Sequence, residues 1–191
     1  MIGVSLFAGK KVELTAVEVE KDASALSKWV LRPSAFQHIL TGNYHAVKES
    51  EMKKRLTDLL KKAEEKRSSY FFSVRTLSEC KLIGFAQIPW IFQSHQTGRI
   101  AVDFGSDDDL AAYGDETLQL LQHYAFMEVN LYHLSTSIPA YEAATISLYE
   151  RNGFLLEVRR REANYHQGKY FDELDYAQLR PEFQAHVEVL P

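Results

Sequence analysis

Lys11-Val12-Glu13-Leu14-Thr15-Ala16-Val17 alternates polar with apolar residues, the period of a strand with one buried face. The acidic run after it leads into a predicted helix over 23–30, ended by Pro33, and a second short helix is predicted over 34–40, stopping at Thr41-Gly42. From 48 to 67 the pattern is a charged helix with Leu56, Leu59, Leu60 and Ala63 as its apolar stripe. Glu49 and Lys53, Glu51 and Arg55, and Asp58 and Lys62 are spaced i, i+4 on it. Two strands, over 70–74 and 82–88, should form a hairpin across Ser78-Glu79-Cys80-Lys81, with Pro89 ending the second.

The next strand, 98–104, puts Ile100, Val102 and Phe104 on one face and Ala101 and Asp103 on the other. A helix over 114–130 presents Leu118, Leu121 and Ala125 towards a sheet. A strand follows over 131–138, closed by Pro139, then a helix over 142–152 ended by Gly153, a favoured residue just past a helix. A last hairpin pairs 154–161 with 169–179 through a longer loop around Gln167-Gly168. Strands and helices in this order make a mixed α/β sheet, not a regularly alternating doubly wound one.

With 191 residues, 46% of them hydrophobic, the chain supports one sizeable core, and no linker divides it; a single domain over 1–191 is expected. Its net charge of −4 opposes nucleic acid as a partner. The amino terminus, Met1 to Gly9, has no positive n-region and too short an apolar run for a signal peptide or membrane span, and no membrane partner is expected. The single Cys80 excludes an internal disulfide framework and suits a reducing cytoplasm, and this thiol is expected to be half-buried near its turn. The seven histidines show no close helical pair and no cysteine partner, so no metal is expected. No Gly-x-Ser-x-Gly elbow points to a hydrolase.

Two residues carry candidate chemistry. Gly114 stands at the predicted start of a helix, where amides lack intrahelical partners and favour an anion such as phosphate. Tyr149, near the end of the next helix, offers a phenol as a proton donor.

Gly114-Asp115-Glu116-Thr117-Leu118, then the run Leu148-Tyr149-Glu150-Arg151-Asn152-Gly153-Phe154, then Gly168-Lys169-Tyr170-Phe171-Asp172-Glu173, in this order, resemble the GNAT superfamily of acetyl-CoA-dependent N-acetyltransferases. Within it, the resemblance is to the group that acetylates ribosomal-protein amino termini and spermidine. It implies a GNAT-like, mostly antiparallel twisted sheet of about seven strands, with a V-shaped splay between the fourth and fifth and helices on both faces. It also implies acetyl-CoA as co-substrate, a primary amine as acceptor and direct attack in a ternary complex, in a cytoplasmic protein for which a homodimer is left open. By position, Phe104 falls where the thioester oxygen is contacted. Leu110, Ala111, Ala112, Tyr113, Gly114 and Asp115 fall on the pyrophosphate loop, and Tyr149 on the tyrosine that protonates the departing thiolate. Asp103 and Glu116 are candidate bases for the amine, Glu116 alternatively a complement to its helix N-terminus. Tyr44, Trp90, Phe92 and Tyr141 are candidates for the acceptor pocket. Three residues depart from the family pattern: Asp109 and Ala112 in the loop, and Glu142 where an Asn is common among the cofactor-binding positions. They keep an alternative open, a GNAT-fold binding or interaction protein that has lost catalysis.

Overall fold

The computed structural model describes residues 6–30, 46–66 and 68–189, and the helix expected over 34–40 and Tyr44 lie outside them. Seven strands form one sheet in the order β1-β2-β3-β4-β5-β7-β6. They are β1 (Val12–Ala16), β2 (Tyr70–Thr76), β3 (Leu82–Phe92), β4 (Thr97–Phe104), β5 (His133–Pro139), β6 (Leu155–His166) and β7 (Lys169–Leu179). Among the described residues only β4 and β5 pair in parallel; the other pairs are antiparallel.

The alternation along β4 sorts the core into two layers. Ile100, Val102 and Phe104 pack under Leu118 and Leu121 of α3 (Asp107–His123) and Leu148 and Tyr149 of α4 (Ala143–Arg151). On the opposite face Phe85 meets Ala23 and Leu26 of α1 (Val19–Trp29) and Met52 and Leu56 of α2 (Glu49–Lys66). On α2, Lys53 lies 3.3 Å from Glu49 and Arg55 3.1 Å from Glu51, as the spacing predicts.

Several boundaries differ from the sequence reading, each for a local reason. Helix α1 begins four residues earlier than the predicted 23, because the Asp22 carboxylate accepts the Glu18 N–H at 2.9 Å and so holds the helix start. Strand β3 runs through Pro89 rather than ending there: the β3–β4 register shifts between Gln87 and Trp90, and a proline is tolerated where the ladder is broken. Cys80 is exposed, not half-buried, in a left-handed turn position with φ of 53°. Strand β6 extends to His166, leaving a two-residue turn of Gln167 and Gly168, both at positive φ as a tight hairpin turn requires. Helix α5 (Arg180–Val189) was not expected; it is marked by Pro181 in its first turn and by Glu182, whose carboxylate accepts the Leu179 N–H at 2.7 Å. Phe183 anchors it by stacking on Phe126 at 5.0 Å.

Candidate active site

The parallel pair β4–β5 is joined only at Thr97–His133, Gly98–Leu134 and Arg99–Ser135. Beyond Arg99 both strands continue, β4 to Phe104 and β5 to Pro139, and they diverge into a V. Gly105 N–H donates to Ile83 O of β3 at 2.9 Å. Because successive strand amides point to opposite sides, those of Val102 and Phe104 face the gap. A gap lined in this way fits the peptide-like arm of a CoA thioester, which meets backbone donors as a neighbouring strand would.

Tyr149 occupies the point where the strands part. Its side chain projects from α4, is 1% exposed and packs edge-on against Phe154 at 5.0 Å. Its hydroxyl is hydrogen-bonded to the Val102 backbone on β4 and to the Thr136 side chain on β5, so it bridges the two walls. Burial first, and then the negative charge of Asp103, push the phenol well above its usual range, outweighing those two hydrogen bonds. The hydroxyl therefore keeps its proton throughout the physiological range.

Two acids act on it electrostatically, and one of them is held by a buried amide. Gln87, 0% exposed on β3, donates from Nε2 to Asp103 Oδ2 of β4 at 2.9 Å. Glu142, immediately before α4, accepts a hydrogen bond from Thr145 Oγ1 on Oε2 at 3.2 Å. Its carboxyl is pushed up to about 7, chiefly by burial, with Asp103 adding repulsion and Thr145 opposing. Glu142 and Asp103 both act electrostatically on Tyr149. Sequence reasoning missed Gln87 and Thr136. The signal for Gln87 was a polar residue inside the apolar run Ile83 to Ile88.

The stretch expected to cradle pyrophosphate takes another form. Helix α3 starts at Asp107, seven residues before the predicted start, because Ser106 and Asp109 make a reciprocal cap: Ser106 Oγ accepts the Asp109 N–H at 3.0 Å and donates to Asp109 Oδ2 at 2.6 Å. The Leu110 amide donates to Ser106 O at 3.1 Å, and Ala111, Ala112, Tyr113, Gly114 and Asp115 all lie within the helix. Their amides belong to the helical ladder, so an anion docking at α3 meets the first-turn amides around 106–108 instead. Gly114 serves helix packing, since a Cβ there would lie 3.2 Å from both methyl carbons of Leu148 on α4. Asp115 accepts from Arg151 Nε at 2.6 Å and from Asn152 Nδ2 at 2.7 Å, tying α3 to the end of α4. Phe104 is buried at the end of β4 with its side chain in the core and its amide towards the gap.

Glu116 is not placed to take a proton from an amine. Its carboxylate accepts the backbone N–H groups of Lys10 and Lys11, the latter at 2.9 Å, and fixes the turn before β1. Glu116→Ala is expected to lower unfolding stability by about 1–2 kcal/mol, by loss of charge-assisted hydrogen bonds, while leaving turnover unchanged. Urea unfolding and steady-state rates on the same sample check both halves. Of the acceptor-pocket candidates, Trp90 and Phe92 lie exposed at the far end of β3, and Tyr141 stacks on His166 at 4.5 Å.

The acetyltransferase (GNAT) domain family matches this chain over residues 16–174. The chain belongs to the GNAT acetyltransferase family, with the seven-stranded sheet and parallel, splayed β4–β5 pair described above. No protein of curated function matches it in sequence. Among solved structures, it is similar to the spermidine N-acetyltransferase of Vibrio cholerae in complex with CoA and spermine, at 17% identity over 91% of this chain and 98% of that one, TM-score 0.74. A dodecameric form of the spermidine enzyme in an intermediate state gives 17% identity over 90% and 95%, TM-score 0.73. A proposed ribosomal-protein-serine acetyltransferase from the same organism gives 16% identity over 91% and 96%, TM-score 0.70. At these identities the likeness is one of fold.

Proposed function

We propose that this chain is an acetyl-CoA-dependent N-acetyltransferase that acetylates a primary amine by direct attack, with both substrates held in one complex. The observation that carries this reading is the Tyr149 hydroxyl, protonated and buried where β4 and β5 part, between the Val102 amide and Thr136. In this reading the Phe104 amide stabilises negative charge on the thioester oxygen, and Tyr149 gives its proton to sulfur as the carbon–sulfur bond breaks. The proton lost from the attacking nitrogen then restores the phenol, so the residues end as they began. Asp103, on the strand face opposite the Val102 side chain, borders the amine's approach.

The neighbours' printed activities supply two acceptor classes to try first, polyamines and protein amino termini. The reading takes residues 1–191 as one catalytic domain. It extends to the cytoplasm, on the single thiol, and to self-association, on the dodecamer of one neighbour. The test is thiol release from acetyl-CoA with a panel of peptide amino termini, polyamines and aminoglycosides. Amine-dependent release that forms the acetylated amine supports it; absence of release across the panel, with acetyl-CoA bound, overturns it.

One observation favours a second reading, a binding protein without catalysis. The first turn of α3 carries Asp107, Asp108 and Asp109, three carboxylates where a diphosphate would dock. Calorimetry with acetyl-CoA separates the two, since absence of binding at millimolar ligand supports the second.

A further inference from the structure

Gln122 on α3, Gln178 on β7 and Asn152 just past the end of α4 are each at most 2% exposed. Gln122 Nε2 and Gln178 Nε2 both donate to the Asn152 carbonyl, at 3.0 and 3.1 Å, and Gln122 Nε2 also donates to Gln178 Oε1 at 2.6 Å. The Asn152 side chain in turn donates to Leu148 O at 2.8 Å and accepts from Gln119 Nε2 at 3.0 Å. Apolar side chains of the same shape would fill this space at little cost in stability. What the amides add is direction.

That direction bears on Tyr149. Its own carbonyl accepts the N–H groups of Asn152 and Phe154, each at 3.1 Å, so the backbone carrying the phenol is bonded to the residue that the two glutamines hold. Gln178 is in register with Leu134 of β5, and Leu134 with Gly98 of β4, where the V is still joined. The Tyr149 hydroxyl reaches Thr136, two positions further along β5. Tyr176 of β7, in register with Thr136, donates to Glu150 Oε1 of α4 at 2.8 Å and adds a second tie. A phenol has only two side-chain torsions, so the stance of α4 on β7 decides where the hydroxyl falls.

We propose that Gln122, Gln178 and Asn152 are positioning residues for the proton donor: they fix the end of α4 against β7 so that the Tyr149 hydroxyl meets both walls of the V. This deepens the acetyltransferase reading and rests on it only for the effect on rate.

The experiment uses the intact chain labelled with carbon-13 at tyrosine Cζ, the Tyr149 resonance being the one that disappears in Tyr149→Phe. Gln178→Met nearly keeps the volume and leaves Gln122 Nε2 on Asn152 O, so neither group is orphaned and the variant is expected to fold. The expected result is a displaced Tyr149 resonance in Gln178→Met and again in Gln122→Met, since both glutamines end on Asn152 O. An unmoved resonance in either folded variant overturns the proposal, whether or not the chain is an enzyme; should one variant fail to fold, the other decides.

Single-turnover thiol release reads the effect on rate. Gln178→Met should lower it about tenfold, as a small misplacement of a reacting group does, with acetyl-CoA affinity unchanged, and should cost nothing further in the Tyr149→Phe background. A residue that only supports the fold would lower the rate by the same factor in both backgrounds, and that result overturns the role. A displaced resonance in a chain that releases no thiol sinks the acetyltransferase reading and leaves the hold on the hydroxyl standing; thiol release that Gln178→Met leaves untouched does the reverse.

Discussion

Replacement of Tyr149 by phenylalanine is expected to lower turnover at least 10²-fold, the usual contribution of a positioned proton donor, while acetyl-CoA affinity changes little. The ring stays, so packing against Phe154 and filling of the core between α4 and the sheet are preserved. What is lost is the only part of the side chain that reaches both walls of the V, the hydroxyl bonded to the Val102 backbone and Thr136. Without it the thiolate leaves unprotonated, and the barrier rises at the step where charge collects on sulfur. The fold loses about 1 kcal/mol, a single buried hydrogen-bonding group, which leaves the variant measurable. Single-turnover rates, with chemistry isolated from product release, are the measurement. An unchanged rate under those conditions removes Tyr149 from the mechanism.

Asp22→Ala is expected to be the most damaging single change to stability, at about 3–5 kcal/mol, as befits the removal of one partner from a buried ion pair. Asp22 is 0% exposed on α1, and its Oδ1 lies 2.5 Å from Arg75 Nη2 on β2. Its Oδ2 accepts from Ser73 Oγ at 2.6 Å and from the Glu18 amide at 2.9 Å. Truncation takes the acceptor from the Ser73 hydroxyl and the Glu18 amide and the buried counter-charge from Arg75, which keeps Thr15 Oγ1 at 3.3 Å and Glu18 Oε1 at 3.9 Å, and α1 loses both its start and its anchor on the sheet. Urea unfolding at neutral pH reads the change. A loss below about 1 kcal/mol would place this pair with surface ion pairs, whose contributions are small.

The strands were legible because alternation and turn chemistry survive without tertiary information, whereas the splay between β4 and β5 came only with the family resemblance carried by runs such as Leu148 to Phe154. Gly153, at φ of 87°, sits where the sequence puts the end of α4. The start of α3 was misread because Gly114 drew the boundary, whereas Ser106 and Asp109 set it. A serine followed three residues later by an acid is a start signal that sequence carries, and the two intervening aspartates obscured it. Glu116 illustrates the opposite limit. No local pattern could reveal that its carboxylate binds amides more than 100 positions earlier, because that contact exists only once β1 has joined the sheet and α3 has packed over it. Asp103 could be assigned to a strand face from alternation alone, but the company it keeps there required three elements to be brought together.

The divergence of β4 and β5 leaves two inward-facing strand margins in the middle of a sheet whose other pairs are ladders. Unpaired strand margins are ordinarily sites at which a foreign chain adds on and copies of a protein clump. Here the two margins spread apart at an angle, so no single intruding strand satisfies both, and the tyrosine at the apex stops zippering from the joined end. Under the proposed function, a flexible, narrow chain that donates and accepts like a peptide but needs no fixed pleat is admitted, and a rigid strand is refused.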